Sequence, residues 1–218
     1  MNYDFYIFDC DGVILNSNQI KTEAFSKALE GEPEDSIAEL IEFHKENGGL
    51  SRYEKFRYYF SSINPIAEEY ENNIDKALNN FKNIVFKDLI SCDYIPGVIS
   101  YLESIKEKGA LIFVNSGGDE EELKLVFKER GIDYLFTSIK GSPSSKKSNN
   151  ESIMNSIGVN MKGVFFGDSK LDYEVAKQFG LDFILISGYS EWRNPKGKFK
   201  KQFTNFFELL EDEDFTNG

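Results

Sequence analysis

The sequence predicts an α/β fold: a parallel sheet with helices on its faces and a helical segment inserted after the first strand. Short apolar runs at residues 5–8, 110–114, 163–166 and 183–186 lack polar alternation, which suits strands buried on both faces. From about Tyr94 these runs alternate with helical patterns, the order that builds a parallel sheet. Between Ser17 and about Ile90 strand-like runs are absent and apolar residues recur at helical spacing. At 218 residues the chain has room for one large domain, or for a domain carrying a sizeable insertion.

The first strand runs into Asp9-Cys10-Asp11-Gly12. Side chains alternate along a strand, so Asp9 and Asp11 leave on one side and Cys10 on the other, toward the core. Two carboxylates so close repel each other, a state that calls for a cation or a shared proton.

The inserted segment repeats apolar residues at Ile20, Ala24 and Leu29, then at Ile37, Leu40 and Ile41, at Phe56, Tyr59 and Phe60, and at Ile74, Ala77, Leu78 and Phe81. Pro33, Gly48-Gly49 and Asn64-Pro65 divide it into four helices. Entering directly after the acidic pair, it can reach over the end of the first strand. Lys45, Arg52, Lys55 and Arg57 form a local positive excess there, and Arg52 and Lys55, three apart, share a helix face. They are candidates to hold the non-reacting end of an anionic substrate, a carboxylate or a second phosphate. The alternative is an exposed amphipathic helix packed through Tyr53, Phe56 and Phe60. Residues 15–17 and 91–94 have the look of two strands of a hinge.

The second strand ends in Asn115-Ser116-Gly117-Gly118. A helix follows, capped by Asp119, with Glu120, Glu121 and Glu122 in its first turn, Lys128 and Arg130 in its last, and Gly131 as its stop. Leu123, Val126 and Phe127 supply its buried stripe. Residues 141–147 form a loop by composition and carry Lys146 and Lys147. The strand at 163–166 leads into Gly167-Asp168-Ser169, with Asp172 four residues on. A helix over 173–179 then stops at Gly180 and feeds the strand at 183–186. Trp192 covers a sheet edge, and 203–215 forms an amphipathic helix with an acidic end. Ligands of an open parallel sheet bind outside the carboxyl ends of its strands, so Asp9, Asp11, Ser116, Asp168 and Asp172 converge.

Composition narrows the function. Twenty-five basic residues against thirty-seven acidic ones give a net charge of -12, which disfavours binding to nucleic acid or anionic membranes. Cys10 and Cys92 form no CxxC pair, and no run approaches the ~20 apolar residues that span a bilayer. With an N-terminus patterned as a strand rather than a signal peptide, the expectation is a reduced, cytoplasmic protein. His44 is the only histidine, so His-rich metal sites are excluded, and no GxSxG elbow accompanies it for a hydrolase triad.

In order, Asp9-Cys10-Asp11-Gly12, Ser116, Lys146 or Lys147, and Gly167-Asp168-Ser169-Lys170-Leu171-Asp172 resemble the four motifs of the haloacid dehalogenase superfamily, in the branch with a helical cap after the first motif. The resemblance implies a Rossmann-like core over 1–16 and 92–218 and a cap over 17–91. It implies Asp9 as a nucleophile forming an aspartyl phosphate and Asp11 as general acid and base. Gly12, Asn115, Ser116, Gly117, Lys146 and Lys147 would bind phosphate, with Lys146, three residues after Pro143, preferred as the motif lysine. Mg²⁺ would be held by Asp9, the main-chain carbonyl of Asp11, and Asp168, with Asp172 orienting a metal-bound water or the lysine. The implied activity is hydrolysis of a small phosphorylated metabolite, a sugar phosphate or a phosphoglycolate-like ester, by a monomer or homodimer. A sugar phosphomutase of the same superfamily is the alternative, and a receiver-like phospho-accepting module a remote one.

Overall fold

The computed structural model describes residues 3–65, 70–158 and 160–212. Six parallel strands form one sheet in the order β3-β2-β1-β4-β5-β6. They are β1 (Phe5–Phe8), β2 (Leu111–Asp119), β3 (Ser138–Ser142), β4 (Gly163–Gly167), β5 (Asp182–Ile186) and β6 (Lys201–Phe203). The direction of winding reverses beside β1, which makes the crevice at its carboxyl end the expected ligand site. Phe8 pairs with Val114 on one side and Phe166 on the other, so Asp9 lies level with Asn115 and Gly167.

Alternation along β1 divides the core. Tyr6 and Phe8 face one layer, where Phe8 stacks on Phe166 with ring centroids 4.7 Å apart, and Tyr101 and Phe206 close around them. Phe5 and Ile7 face the other, with Phe113, Phe165 and Phe183. Cys10 is buried in the first layer as alternation requires.

Four helices make up the inserted segment that follows β1: α1 (Asn18–Ala28), α2 (Glu34–Glu46), α3 (Arg52–Tyr58), continued by a π turn over Tyr59–Ile63, and α4 (Tyr70–Ser91). Their apolar faces meet around Phe25, Phe56 and Phe81. Ser51 and Glu54 form a capping box that starts α3. The two chain crossings lie side by side. Leu15 bridges Tyr94, the Asn16 amide donates to the Asp93 carbonyl (2.9 Å), and the Ile95 amide to that of Ile14 (3.0 Å). Arg130 clamps the exit by donating to the carbonyls of Leu89, Ile90 and Cys92 while its guanidinium covers the Tyr94 ring, satisfying carbonyls that the end of α4 leaves open.

The core helices are α5 (Val98–Glu107), α6 (Glu120–Glu129), α7 (Lys146–Ser156), α8 (Lys170–Gln178) and α9 (Phe206–Glu211). Asp119 caps α6 by accepting from the Glu122 amide at 2.9 Å. No helix among the described residues is long and apolar enough to cross a membrane.

Several sequence expectations need correction. β2 runs on through Asn115-Ser116-Gly117-Gly118, with a register shift against β3 between Asn115 and Asp119, so Ser116 lies inside the strand. The stretch read as a lysine loop is the end of β3, a turn, and the start of α7, which Ser145 caps. Helix α8 begins at Lys170 rather than Tyr173. In place of one helix over 203–215 there is β6 and then α9, and residues 213–215 lie outside those described. Trp192 packs on Tyr173 and Phe199 and borders the site cavity. The amphipathic helix read as exposed is α3, whose Arg52, Lys55 and Phe56 are buried.

A Cβ added to Gly163 would lie 2.1 Å from the ring of Phe5 on the adjacent strand. Gly163→Ala should therefore cost about 1–3 kcal/mol through overpacking, read as a lowered urea midpoint. An unchanged midpoint would mean that β1 and β4 can part at this end without loss.

Candidate active site

Asp9 follows β1, with one carboxylate oxygen accepting from the Cys10 amide (2.7 Å) and the other lying 2.8 Å from the Lys146 ammonium. Lys146 also lies 2.5 Å from Asp172 Oδ1. Asp172 Oδ2 accepts from the Ser169 hydroxyl (2.6 Å) and amide (3.1 Å), within the capping box that starts α8. Asp168 follows β4. Its Oδ2 accepts from the Asn18 amide of α1 (2.7 Å), and its carbonyl accepts from the Ser190 hydroxyl.

Carboxylate oxygens of Asp9, Asp168 and Asp172 lie within 4.8 Å of one another, and all three groups are buried. Burial and then the Asp172 charge push the Asp9 carboxyl up to about 7, against the pull of Lys146. Burial, then Asp9 and Asp172, push Asp168 well above the usual carboxylate range. Burial alone would lower the Lys146 ammonium, but Asp172 and Asp9 outweigh it and hold the charge in place. Three carboxyls beside one ammonium are short of positive charge, so without a cation the cluster holds protons in its place, and its donors are hard oxygens. A divalent cation of the Mg²⁺ type fits such a set. Asp172 has both oxygens engaged by Lys146 and Ser169, so it supports the lysine more directly than a cation.

Asp11 is held differently. Ser17 donates to one oxygen (2.6 Å) and Lys21 of α1 lies 2.5 Å from the other. Burial would raise its carboxyl, but Lys21 and then Ser17 outweigh it and hold it below the usual range. Two carboxyls two residues apart thus have opposite protonation tendencies, Asp9 toward the proton-bearing form and Asp11 toward the ionised one.

The structure sorts the remaining sequence candidates. Ser116 is buried, its hydroxyl accepting from the Gly118 amide at 3.0 Å, and Gly117 and Gly118 border the cavity. Lys146 reaches the carboxylates, whereas Lys147 is exposed. Gly12, read as a phosphate binder, donates its amide to the Leu15 carbonyl (2.8 Å) and is needed for room, since a Cβ there would lie 2.2 Å from Asp168 Oδ2. Asn115, read likewise, donates its side-chain amide to the Lys146 carbonyl (2.8 Å) and so anchors the start of α7. Arg52 lies 3.1 Å from Glu122 of α6, with both side chains buried. Lys55 lies 2.7 Å from His44 Nδ1.

The inserted helices rest on the sheet end. Tyr53 donates to Asp119 (2.7 Å), Thr22 to Glu191 (3.0 Å), and Asn18 to the Tyr189 carbonyl (2.8 Å). The Gly48-Gly49 turn enters the site so closely that a Cβ on Gly117 would lie 2.3 Å from the Gly49 carbonyl oxygen. The cavity beneath measures about 60 Å³, below the ~300–1,000 Å³ of common ligand clefts. Lys21, Asn18, His44, Glu122 and Glu191 border it, and none was legible as a site residue. The available signal was the i, i+3 spacing of Asn18 and Lys21 on the first helix after the acidic pair.

A doubly wound parallel sheet with clustered carboxylates at its switch point and helices closing over them defines a lidded enzyme of carboxylate chemistry. The family model of haloacid dehalogenase-like hydrolases matches residues 6–186, and the chain belongs to that family. Among solved structures it is similar to a predicted phosphoglycolate phosphatase from Haemophilus somnus, at 19% identity and a TM-score of 0.74 over 96% of this chain and 97% of the other. It is also similar to a predicted phosphatase from Clostridium acetobutylicum, at 20% identity and 0.73 over 98% and 99%. A β-phosphoglucomutase from Clostridium difficile matches at 19% identity and 0.72 over 97% of each chain. A search of curated proteins found no match.

Crowding of the carboxylates makes a signed prediction. Asp168→Asn removes one crowded carboxyl while leaving an oxygen to accept from Asn18. In chelator its melting temperature should equal or exceed the parent's, by roughly 2–4 °C per kcal/mol of repulsion relieved. Excess Mg²⁺ should then raise the parent's melting temperature and leave the variant's unmoved. A variant that responds to Mg²⁺ as the parent does would contradict the cluster as a cation site.

Proposed function

We propose that the protein is a Mg²⁺-dependent phosphomonoesterase acting on a small phosphorylated metabolite, with residues 1–16 and 92–218 as catalytic core and 17–91 as cap. The observation that carries this reading is Asp9: a carboxylate at the end of the central strand, bordering a cavity, with a lysine 2.8 Å away and two further carboxylates beside it.

In the first half-reaction Asp9 attacks the phosphorus, and the ester oxygen leaves as the alcohol with a proton from Asp11. In the second, Asp11 takes a proton from water, which attacks the aspartyl phosphate and releases phosphate and Asp9. Splitting the hydrolysis this way is the gain of a covalent nucleophile, and proton transfer of this kind contributes ~100 to 10,000-fold. Lys21 holds Asp11 ionised, the form that accepts a proton, so the acid step requires Lys21 to shift and Asp11 to take up a proton from solvent as the substrate seats, a proton that the second half-reaction restores. Lys146 offsets charge on the phosphoryl oxygens, and the Ser116 hydroxyl, which accepts from the Gly118 amide, keeps its own proton to donate to one of them. Asp9, Asp168 and the Asp11 carbonyl would hold Mg²⁺, with Asp172 orienting Lys146. The bound ion would supply electrostatic stabilisation of the phosphoryl group. The cap, resting on the sheet end through Tyr53 and Thr22, keeps water away until the first step is complete. The free thiols of Cys10 and Cys92 support a reducing, cytoplasmic setting.

Hydrolysis of an aryl phosphate should fall by at least about 1,000-fold in Asp9→Asn, and chelation of divalent ions should abolish it, with recovery on adding Mg²⁺. Activity surviving either change would sink the reading.

A further inference from the structure

The buried cations around the cavity are not equivalent. Lys146 faces Asp9 and Asp172, Lys21 faces Asp11, and Arg52 faces Glu122. Lys55 is as buried as these, with 2% of its surface exposed, and borders the same cavity. Among the described residues it has no carboxylate within ion-pair distance. Its ammonium lies 2.7 Å from His44 Nδ1, a neutral acceptor.

A chain of side chains fixes that ammonium. Burial, then the Lys55 charge, push His44 down to about 2, so the ring is neutral. Nδ1 accepts from Lys55, which leaves the proton on Nε2 to donate to Thr22 Oγ1 (3.0 Å), and Thr22 donates to Glu191 (3.0 Å). The chain therefore runs from α3 through α2 and α1 to the loop after β5, and it holds Lys55 with donors to spare, because an ammonium carries three. Burial and the nearby Lys21 charge push Lys55 down to about 7. A buried cation with one neutral partner is short of countercharge, and an anion in the cavity would supply it.

We propose that Lys55 is the specificity-determining residue for a second anionic group on the substrate, a carboxylate or a second phosphate, held apart from the phosphoryl group at Asp9. The inference rests on the phosphatase reading and deepens it. It separates two cations that sequence spacing had paired: Arg52 is committed to Glu122 and ties α3 to α6, while Lys55 is left to read the ligand. The apolar rings of Phe25 and Phe81 also border the cavity, whose small volume calls for a short link between the two charged ends.

The test is calorimetric binding, with Mg²⁺ present, of three phosphonates that cannot be hydrolysed: 3-phosphonopropionate, propane-1,3-diphosphonate, and 3-hydroxypropylphosphonate, which lacks the second charge. At least one of the doubly anionic ligands should bind the parent protein roughly tenfold or more tightly than the hydroxyl compound, and which one does so identifies carboxylate or phosphate. In Lys55→Met, which keeps the apolar stem, the preference should collapse to within about twofold, and in Lys55→Arg part of it should return. Equal affinities, no binding, or a preference that survives in Lys55→Met would overturn the proposal. The parent comparison needs no variant to fold. Preference without turnover of any phosphate ester would remove the phosphatase reading and leave the anion site standing, whereas turnover without preference would remove the anion site alone.

Discussion

The Lys146 ammonium, shared between Asp9 and Asp172, is the contact on which the rest of the site depends. A lysine this deeply buried is tolerable only with anions around it, and several parts of the chain serve to bring them there. The parallel register sets the end of β1 level with that of β4, which puts Asp9 beside Asp168. Asn115 ties the main chain of Lys146 to β2. Ser169 caps α8 and, by the same bonds, turns Asp172 toward the lysine. One positive charge still does not balance three carboxyls, and the protons that crowding makes two of them hold are what a divalent cation would displace.

The inserted helices bring the opposite charge. Over a chain of net charge -12 an anionic ester is repelled at long range, yet α1 and α3 carry Lys21, Arg52 and Lys55 to the cavity wall. Two of these are neutralised where the cap meets the core, by Asp11 and by Glu122. The same pairs that satisfy buried cations therefore hold the cap against the sheet, and they link its position to the state of Asp11. Gly49 sits against Gly117, so the inserted helices and the sheet end together border the cavity at Asp9.

Much of the architecture was legible because buried parallel strands are written as unbroken apolar runs, and β1, β2, β4 and β5 are such runs. The edge strands were not. β3 is Ser-Ile-Lys-Gly-Ser and β6 is Lys-Gln-Phe, and a strand covered on fewer sides carries too few apolar residues to show. The carboxylates were legible as a set because each ends a strand or opens a helix at a readable boundary. The choice between Lys146 and Lys147 awaited α7, whose first turn sends one inward and the other to solvent. The site roles of Lys21, His44, Glu122 and Glu191 were not legible for a different reason. Their roles arise from contacts between elements, and Arg52 meets Glu122 across 70 residues of sequence, a distance over which local periodicity says nothing.

The account stands or falls on a covalent bond between phosphorus and Asp9. During turnover of a phosphate ester, quenching into borohydride would reduce an aspartyl phosphate to homoserine, a change readable by peptide mass spectrometry. Homoserine at position 9, absent without substrate and absent in Asp9→Asn, is the predicted result. Sustained hydrolysis with Asp9 unmodified, or with the modification at another residue, would contradict the account.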